Sequence, residues 1–382
     1  MKPAAGSAVV ERRRLPVLQP PEPGAALGND PLTPLADGLS RSISYLRISL
    51  TDRCNYRCTY CMPEAGVDIL PREEILSFEE IEAIVAALTQ VGVRRVRLTG
   101  GEPTVRKDLL QLVERLARLG LEDLSLSTNG ERLGELARPL REAGLDRLNV
   151  SLDTLQPERF RAVTRRGNLD AMLAGLAAAR TTSFRHTKLN TVAMRGFNDD
   201  ELGALCRYAF ARDFIPRFIE LMPMAAGSLF YPGTFLPAAE IRARLQAEFG
   251  ALGPTAATAA ATAALPGVGP ARYTEVLYQG EVRRVGLISA VTEPFCDTCN
   301  RIRLSATGQL HACLAYDDAI DLRAILRAAE ATAGAALSPG SAEAQRQART
   351  SRLVALCRAG LVHKRPGHEF TPAGCGGPQK HM

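Results

Sequence analysis

The chain has 382 residues with 47 basic and 41 acidic side chains, a net charge of +6, and 46% hydrophobic residues. This composition argues against a disordered or membrane-embedded chain, and the length predicts about two domains. Only five basic residues are lysines, the arginines are scattered, and tryptophan is absent, so a nucleic-acid-binding surface is not indicated. We therefore expect neither nucleic acid nor membrane as a partner, and the charge suits a polyanionic small molecule.

Residues 1–43 are rich in proline and glycine and show no apolar period, which predicts a disordered N-terminal arm. The arm reaches Glu11-Arg12-Arg13-Arg14 after a short apolar run, so a secretory signal is not indicated and we expect a cytoplasmic protein. Thiols stay reduced in that compartment. The nine cysteines are therefore expected to bind metal or to carry out redox chemistry.

From Ser44 onward, strand-like runs alternate with helix-like runs. The predicted strands are 45–50, 94–98, 123–127, 147–151, 187–192 and 216–221. The predicted helices are 77–90, 108–119, 132–143, 157–180 and 199–211. Such β-then-α units predict an α/β fold with a parallel sheet and helical crossovers. Because small and polar residues follow the strands, residues 44–235 are predicted to form a (β/α) barrel with its active site at the carboxyl ends of the strands.

Residues 236–363 form a second predicted region, which is followed by a tail at 364–382. The stretch 255–264 is rich in alanine and threonine, as is typical of a linker or a tolerated insertion. Residues 273–287 predict a hairpin, and a compact cysteine-bearing unit is expected from Cys296 onward.

The first cysteine set, Cys54, Cys58 and Cys61, follows the first predicted strand. Three cysteines can hold three irons of a 4Fe-4S cluster and leave the fourth iron open to another ligand. A structural zinc ion instead needs four ligands, and no further Cys or His follows Cys61 closely. The spacing therefore favours an iron–sulfur cluster, whereas zinc would require a distant ligand.

The second cysteine set comprises Cys296, Cys299 and Cys313. Taken alone, this set could bind zinc, because His311 would complete a Cys3His site. A second 4Fe-4S cluster is the other interpretation, and it is favoured by the presence of the first set. The remaining cysteines, Cys206, Cys357 and Cys375, stand singly and are interpreted as ordinary thiols.

Several cations occupy unusual positions in this sequence. Arg301 and Arg303 follow Cys299 closely, and in an extended segment their side chains point to the same side, which suits phosphate oxygens. Arg47, Arg97 and Lys188 lie within predicted strands, where a buried charge is costly unless it faces a polar site or an anion. Together these cations predict a polyphosphate site at one end of the barrel.

Four segments of the chain resemble the GTP 3′,8-cyclase family of radical S-adenosylmethionine (SAM) enzymes. They are 50–63, which holds the first cysteine set, 98–103 (Leu-Thr-Gly-Gly-Glu-Pro), 217–223 (Arg-Phe-Ile-Glu-Leu-Met-Pro) and 295–304. The resemblance runs from about Ser44 to His363. It implies an incomplete (β/α)6 TIM-type barrel, with a C-terminal region that carries a second 4Fe-4S cluster and closes the open side.

The resemblance also implies cofactors and contacts. The two cysteine sets would each hold a 4Fe-4S cluster. SAM would bind the first cluster and contact Tyr60, Gly101, Ser151 and Met222. GTP would contact Arg47, Arg97, Thr128, Lys188, Arg301, Ile302 and Arg303. The family usually ends in Gly-Gly, but here Gly376-Gly377 are followed by further residues, so we assign them no role.

The implied activity is that of a lyase that converts GTP into (8S)-3′,8-cyclo-7,8-dihydroguanosine 5′-triphosphate by radical chemistry. This reaction is the first step of molybdenum cofactor biosynthesis. It would need an external one-electron donor, and cyclic pyranopterin monophosphate synthase would be the pathway partner. Both a monomer and a homodimer are compatible with the sequence.

Two alternatives stay open at this point. The first is a radical SAM enzyme that acts on another substrate and uses the second cysteine set for an auxiliary electron-transfer cluster, although such enzymes tend to carry a longer cysteine series. The second is a nucleic-acid-binding protein with structural zinc sites and no catalytic activity. Iron and sulfide analysis of anaerobic protein distinguishes clusters from zinc.

Overall fold

Six parallel strands form the centre of a single mixed sheet. The computed structural model describes residues 33–223, 232–253, 269–332 and 339–375. The central strands are β1 (Tyr45–Ser49), β2 (Arg95–Thr99), β3 (Asp123–Thr128), β4 (Arg147–Ser151), β5 (His186–Ala193) and β6 (Ile215–Glu220). They are hydrogen-bonded in the order β1-β2-β3-β4-β5-β6, and every neighbouring pair is parallel. The predicted parallel α/β barrel sheet is thereby confirmed.

Helices connect these strands and cover one face of the sheet. They are α1 (Phe78–Gln90), α2 (Leu109–Ala117), α3 (Leu133–Glu142), α4 (Pro157–Thr164), α5 (Leu169–Thr181) and α6 (Leu202–Phe210). Alternate strand residues such as Leu46, Ile48 and Leu98 pack into the same hydrophobic core as the helices. The start of α1 shows the predicted capping box, in which Ser77 Oγ accepts from Glu80 N and Glu80 Oε2 accepts from Ser77 N.

The single helix predicted over 157–180 is wrong, because the structure contains two helices there. The break lies at Arg165, whose φ is +61°, and Asn168 then caps α5 by accepting a hydrogen bond from Ala171 N. Arg165 leaves the helical path to hold the loop after β1, since its Nη1 donates to Arg57 O at 2.9 Å and to Met62 O at 3.1 Å. The pair Gly167-Asn168 is a local turn signal at this break, and the prediction of a single helix passed over it.

The C-terminal region extends the sheet at both edges. It contains α7 (Ala238–Phe249), β7 (Arg272–Tyr278), β8 (Glu281–Ile288), β9 (Arg301–Leu304), β10 (Gln309–His311), β11 (Ala319–Asp321), α8 (Leu322–Thr332), α9 (Pro339–Leu361), β12 (Phe370–Thr371) and β13 (Gly374–Cys375). Strand β9 pairs with β1 and β8 pairs with β6, both in parallel. The antiparallel β7–β8 pair confirms the predicted hairpin. Both edges of the incomplete barrel are therefore covered by C-terminal strands.

Residues 33–43, which the prediction placed in a disordered arm, are folded against the barrel, and the rest of that predicted arm lies outside the described residues. Leu35 is 0% exposed, its N–H donates to Val91 O at 2.7 Å, and Ile43 is buried beside it. The two apolar side chains flank a short turn, which is why no period was visible. The predicted linker at 255–264 and Gly376-Gly377 lie outside the described residues. Within the described ranges, no helix has the length and apolar character needed to cross a membrane.

Glu220, at the end of β6, connects the barrel to the C-terminal region. Its buried carboxylate accepts hydrogen bonds from the backbone N–H groups of Ala238 (2.8 Å), Val291 (2.8 Å) and Thr292 (2.9 Å). The hydroxyl of Thr292 also donates to it. One buried carboxylate thus satisfies donors from the start of α7 and from the segment after β8.

We expect Glu220→Ala to lower the free energy of unfolding by about 3 kcal/mol, because hydrogen bonds to a charged group are worth about 1.5–3 kcal/mol and the buried donors would lose their acceptor. Urea denaturation followed by circular dichroism measures this loss. Glu135→Ala is the matched control, since the Glu135 side chain is 79% exposed, and it should change the value by no more than about 0.5 kcal/mol. Equal effects of the two substitutions would show that Glu220 does not hold the two regions together.

Candidate active site

The first cysteine set lies on a tight loop after β1. Both Cys61 N and Met62 N donate to Cys58 O, at 3.0 and 2.9 Å, and Tyr56 N donates to Cys54 Sγ at 3.4 Å. The surrounding protein, together with the nearby Cys54 and Asp153, raises the pKa of Cys61 to about 11. Neighbouring thiols that resist ionisation in the absence of a cation fit a metal cluster, which stabilises thiolates as ligands.

The loop that carries the first cysteine set is hydrogen-bonded to the glycine-containing loop after β2. Gly101 N donates to Thr51 O at 2.7 Å, and Glu102 N donates to Arg53 O at 2.8 Å. A Cβ atom at Gly101 would lie 2.3 Å from Arg53 O, so no other residue fits this approach without a shift of the backbone. The two loops therefore form one rigid rim at the carboxyl ends of β1 and β2.

The four residues predicted to contact SAM lie at or just after the carboxyl ends of four barrel strands. Tyr60 follows β1, Gly101 follows β2, Ser151 ends β4 and Met222 follows β6. Tyr60 and Met222 pack against the same small apolar group, whose buried members are Val163, Met194, Leu221, Phe235 and Val291. Ser151 and Gly101 are exposed. All four residues therefore lie at the carboxyl-end edge of the parallel sheet.

Asp153, which follows β4, is a residue beside the predicted SAM contacts that the site prediction missed. Its Oδ2 accepts a hydrogen bond from the Tyr60 hydroxyl at 2.6 Å, and its Oδ1 accepts one from Val192 N at 2.8 Å. Burial raises the pKa of Asp153 to about 6, although both hydrogen bonds oppose the shift. The polar triplet Ser151-Leu152-Asp153 at the end of the fourth strand was the available signal, and the structure shows that Asp153 fixes the orientation of Tyr60.

A group of six cations lies on the face of the sheet that is opposite the hydrophobic core, where Arg147 also lies, paired with Asp123. This cation group comprises Arg47, Arg97, Lys188, Arg217, Arg301 and Arg303. Arg303, Arg47 and Arg97 are direct neighbours across β9, β1 and β2. In the strand register, Lys188 on β5 lies beside Asn149 on β4, and Arg217 on β6 lies beside Asn190 on β5. The period of two along each strand keeps all six on the inner face of the barrel.

Three members of the cation group are buried, and none of the six forms an ion pair within the described part of the chain. Lys188 is 4% exposed, and Arg97 and Arg217 are also buried. Burial, followed by the charges of Arg217, Arg147 and Arg97, lowers the pKa of Lys188 to about 6. Asp123, an acid on the same face, is already paired with Arg147.

Three buried polar atoms beside this group have no hydrogen-bond partner within the described part of the chain. They are the Nε atoms of Arg47 and Arg97 and the hydroxyl of Tyr45. Both guanidinium groups lie over the Tyr45 ring, at 5.9 and 5.4 Å from its centroid. Unpaired buried donors and mutually repelling cations are costly, so the inner face fits a polyanionic ligand.

Two side chains implied by the resemblance to contact GTP do not face the cation group. Thr128 is buried, and its hydroxyl donates to Glu102 Oε1 at 2.7 Å and accepts from Gly130 N at 3.1 Å. Ile302 lies in the hydrophobic core, because it alternates along β9 with Arg301 and Arg303. Arg217 is the reverse case, since it belongs to the cation group but was not among the predicted contacts.

The second cysteine set lies at the edge of the same inner face. Cys296 and Cys299 share a turn in which Cys299 N donates to Cys296 O at 3.0 Å, and Cys313 follows β10. Arg301 Nη2 lies 3.7 Å from Cys299 Sγ. Burial raises the pKa of Cys296, and the thiols of Cys313 and Cys299 add to the shift. The set therefore borders the cation group directly, through Arg301.

Neither cysteine set converges on a single ion. In the described ranges, no three Cys, His, Asp or Glu side chains are arranged as ligands of one metal ion. The cysteines other than Cys375 are all free thiols.

Comparison with known proteins gives two family matches. The Radical SAM superfamily matches residues 48–209, and Molybdenum Cofactor Synthesis C matches residues 215–353. The chain is 45% identical over 321 residues to a GTP 3′,8-cyclase of Ectopseudomonas mendocina, covering 84% of this chain and 91% of that protein. It is 46% identical over 297 residues to GTP 3′,8-cyclase 1 of Pseudomonas aeruginosa, covering 78% and 87%.

Among solved structures, the chain resembles Streptococcus suis SuiB bound to S-adenosylmethionine. The TM-score is 0.52 at 13% sequence identity, and the match covers 74% of this chain and 61% of SuiB. At that identity the likeness shows a shared fold.

Proposed function

Because this chain belongs to the GTP 3′,8-cyclase family of radical SAM enzymes, we propose that it converts GTP into (8S)-3′,8-cyclo-7,8-dihydroguanosine 5′-triphosphate. This lyase reaction is the first step of molybdenum cofactor biosynthesis. The observation that carries the proposal is the buried cation group, which begins at the second cysteine set with Arg301 and continues through Arg303, Arg47 and Arg97. The three phosphate groups of a nucleoside triphosphate carry negative charges that such a group of cations would neutralise.

Radical SAM enzymes use SAM and a 4Fe-4S cluster, and Cys54, Cys58 and Cys61 are the residues that fit this cluster. When bound, the cluster and SAM supply the radical that removes a hydrogen atom from the substrate. A second 4Fe-4S cluster on Cys296, Cys299 and Cys313 is part of the proposal. Three cysteines leave one iron open, and the adjoining cation group favours substrate as the ligand of that iron.

The chain itself contributes binding, orientation and exclusion of water. The cation group holds the triphosphate by charge-assisted hydrogen bonds, for which guanidinium groups are well suited. Tyr60, fixed by Asp153, and Met222 supply the apolar wall on the SAM side. Holding two reactants in one geometry removes a large part of the entropic barrier.

Partners follow from this chemistry. An external one-electron donor is required to reduce the first cluster. Cyclic pyranopterin monophosphate synthase is the proposed consumer of the product, and the cytoplasm, where thiols stay reduced, is the proposed compartment. Both a monomer and a homodimer fit the proposal.

The decisive experiment is an anaerobic incubation of reconstituted protein with GTP, SAM and a reductant. We expect 5′-deoxyadenosine together with a cyclised nucleotide by mass spectrometry, and about eight irons per chain from two four-iron clusters. Cleavage of SAM with unchanged GTP would favour the radical SAM enzyme with another substrate. Zinc in place of iron at both sites would contradict the proposed chemistry altogether.

A further inference from the structure

We propose that Lys364 is a positioning residue for the second cluster, because its ammonium group stabilises the Cys299 thiolate as a ligand and makes the cluster easier to reduce. The inference rests on the proposed function, since it requires that Cys296, Cys299 and Cys313 hold a 4Fe-4S cluster. Lys364 belongs to the predicted tail, to which the sequence assigned no role.

The ammonium group of Lys364 is buried, and all its hydrogen bonds are made to residues at or next to Cys299. The residue is 5% exposed, and Nζ donates to Arg301 O at 2.9 Å and to Cys299 O at 3.1 Å. Its third contact is Cys299 Sγ at 3.6 Å. An ammonium group has three donors, so all three are directed at the turn and strand that carry Cys299.

The contacts of the second cysteine set are asymmetric. Cys299 Sγ receives two cationic donors, Arg301 Nη2 at 3.7 Å and Lys364 Nζ at 3.6 Å. Cys313 Sγ receives a neutral donor, the backbone N–H of Ala315 at 3.5 Å. Both cationic side chains that reach the second cysteine set therefore contact the same sulfur atom, Cys299 Sγ.

Both ends of the described chain hold Lys364 in this position. Arg41 Nη1 donates to Cys296 O at 2.7 Å, and its Nη2 donates to Arg365 O at 2.9 Å. Asp37 in turn accepts from Arg41 Nε at 2.6 Å. The cysteine turn, the segment after α9 and the segment before β1 are therefore connected through one guanidinium group, so the location of the ammonium is fixed.

The positive charge of Lys364 is expected to raise the reduction potential of the second cluster. Reduction adds one electron to the cluster, and a cation at a ligand sulfur stabilises the reduced state more than the oxidised state. Hydrogen bonds to the sulfurs and nearby charge are the means by which proteins set cluster potentials. Arg301 is placed at the substrate as well, whereas Lys364 reaches the cluster from the opposite, C-terminal segment. Lys364 is thus the cation whose replacement tests this effect separately from GTP binding.

The experiment uses the full chain with Cys54, Cys58 and Cys61 all replaced by alanine, so that only the second cluster is reconstituted. Its midpoint potential is measured by anaerobic redox titration followed by electron paramagnetic resonance. We compare Lys364→Gln and Lys364→Met, which remove the charge, with Lys364→Arg, which keeps it. The matched control is Lys107→Met, since Lys107 is exposed in the loop before α2.

We expect Lys364→Gln and Lys364→Met to make reduction less favourable by about tenfold, which is ~59 mV for a one-electron couple. Lys364→Arg and Lys107→Met should keep the original potential. An unchanged potential in Lys364→Gln and Lys364→Met would overturn the proposal. Loss of iron from Lys364→Gln and Lys364→Met with retention in Lys364→Arg would support the need for charge.

Loss of iron from all three Lys364 variants would overturn the proposal in favour of a purely structural role, since the two carbonyl contacts would then be what matters. Failure of the proposed function gives a different result. In that case the chain without the first cysteine set binds no iron even with Lys364 present, which contradicts the second cluster itself and the inference with it.

Discussion

Replacing Cys313 with alanine is expected to abolish the cyclisation of GTP while the reductive cleavage of SAM continues. Cys313 belongs to the second cysteine set, which borders the cation group through Arg301, and it lies on a different loop from the first set. Loss of one of three ligands should remove the proposed second cluster and with it the proposed anchor of the substrate. The first cysteine set and the proposed SAM contacts around Tyr60 are left intact.

Cys58→Ala is the complementary variant and should lose both reactions. Cys58 is the middle residue of the first set, and its carbonyl accepts the two hydrogen bonds that shape the loop. Cys206→Ala is the matched control, because Cys206 is a single thiol in the core on α6, and both reactions should persist. The measurement is the yield of 5′-deoxyadenosine and of cyclised nucleotide in the same anaerobic sample. A Cys313→Ala variant that cyclises GTP at the normal rate would show that substrate does not bind at the second set.

Periodicity was sufficient to predict the barrel, because its strands and helices are long enough for alternation and helical spacing to be visible. Strand β1, for example, alternates Leu46 and Ile48 in the core with Arg47 on the inner face. The break at Arg165 was missed although Gly167-Asn168 marks a turn in the sequence; only the contact of the Arg165 side chain with the loop of the first cysteine set needed the structure. The burial of Leu35 was missed because its contact with Val91 is tertiary.

The candidate site was predictable where a residue violated its local pattern. Arg47, Arg97 and Lys188 stood out because they are charges within apolar strands, and the structure brings them onto one face. Arg217 carried the same signal and should have been included. Ile302 came from a motif match, although alternation with its neighbours already placed its side chain on the opposite face.

Site residues that lie outside the sequence motifs could not be recognised from a break in the local pattern. Lys364 and Arg41 lie far from Cys299 in the sequence and reach it only in the folded chain. Neither belongs to a periodic run, so burial of an ammonium or guanidinium group could be recognised only from the structure.

The binding of GTP is expected to take up a proton at Lys188. In the free protein, burial and the charges of Arg217, Arg147 and Arg97 lower the pKa of Lys188 to about 6, so the amine is mostly neutral at pH 8. A triphosphate beside it favours the charged form and raises that pKa. Affinity should therefore increase as the pH falls from 8 toward 6 and level off below the pKa of the free protein, where Lys188 is already charged.

Isothermal titration calorimetry in buffers of different ionisation enthalpy measures this uptake without turnover, if SAM and reductant are left out. Lys188→Met should lose the proton uptake and weaken binding by about 1.5–3 kcal/mol, the range for a charged hydrogen bond. Subtracting the proton exchange of Lys188→Met from that of the original protein removes the contribution of the phosphate groups themselves. The exposed residue Lys107 again provides the control, and Lys107→Met should retain both uptake and affinity.

A lysine that is neutral when the barrel is empty explains how six cations can share one buried face. If Lys188 were charged in the free protein, it would add its repulsion to that of Arg97 and Arg217, whose guanidinium groups cannot release their protons at neutral pH. Charging Lys188 only when the triphosphate arrives avoids that repulsion and supplies the cation where the anion needs it. Weaker binding in Lys188→Met with no difference in proton uptake would contradict this explanation, because Lys188 would then be charged before GTP binds.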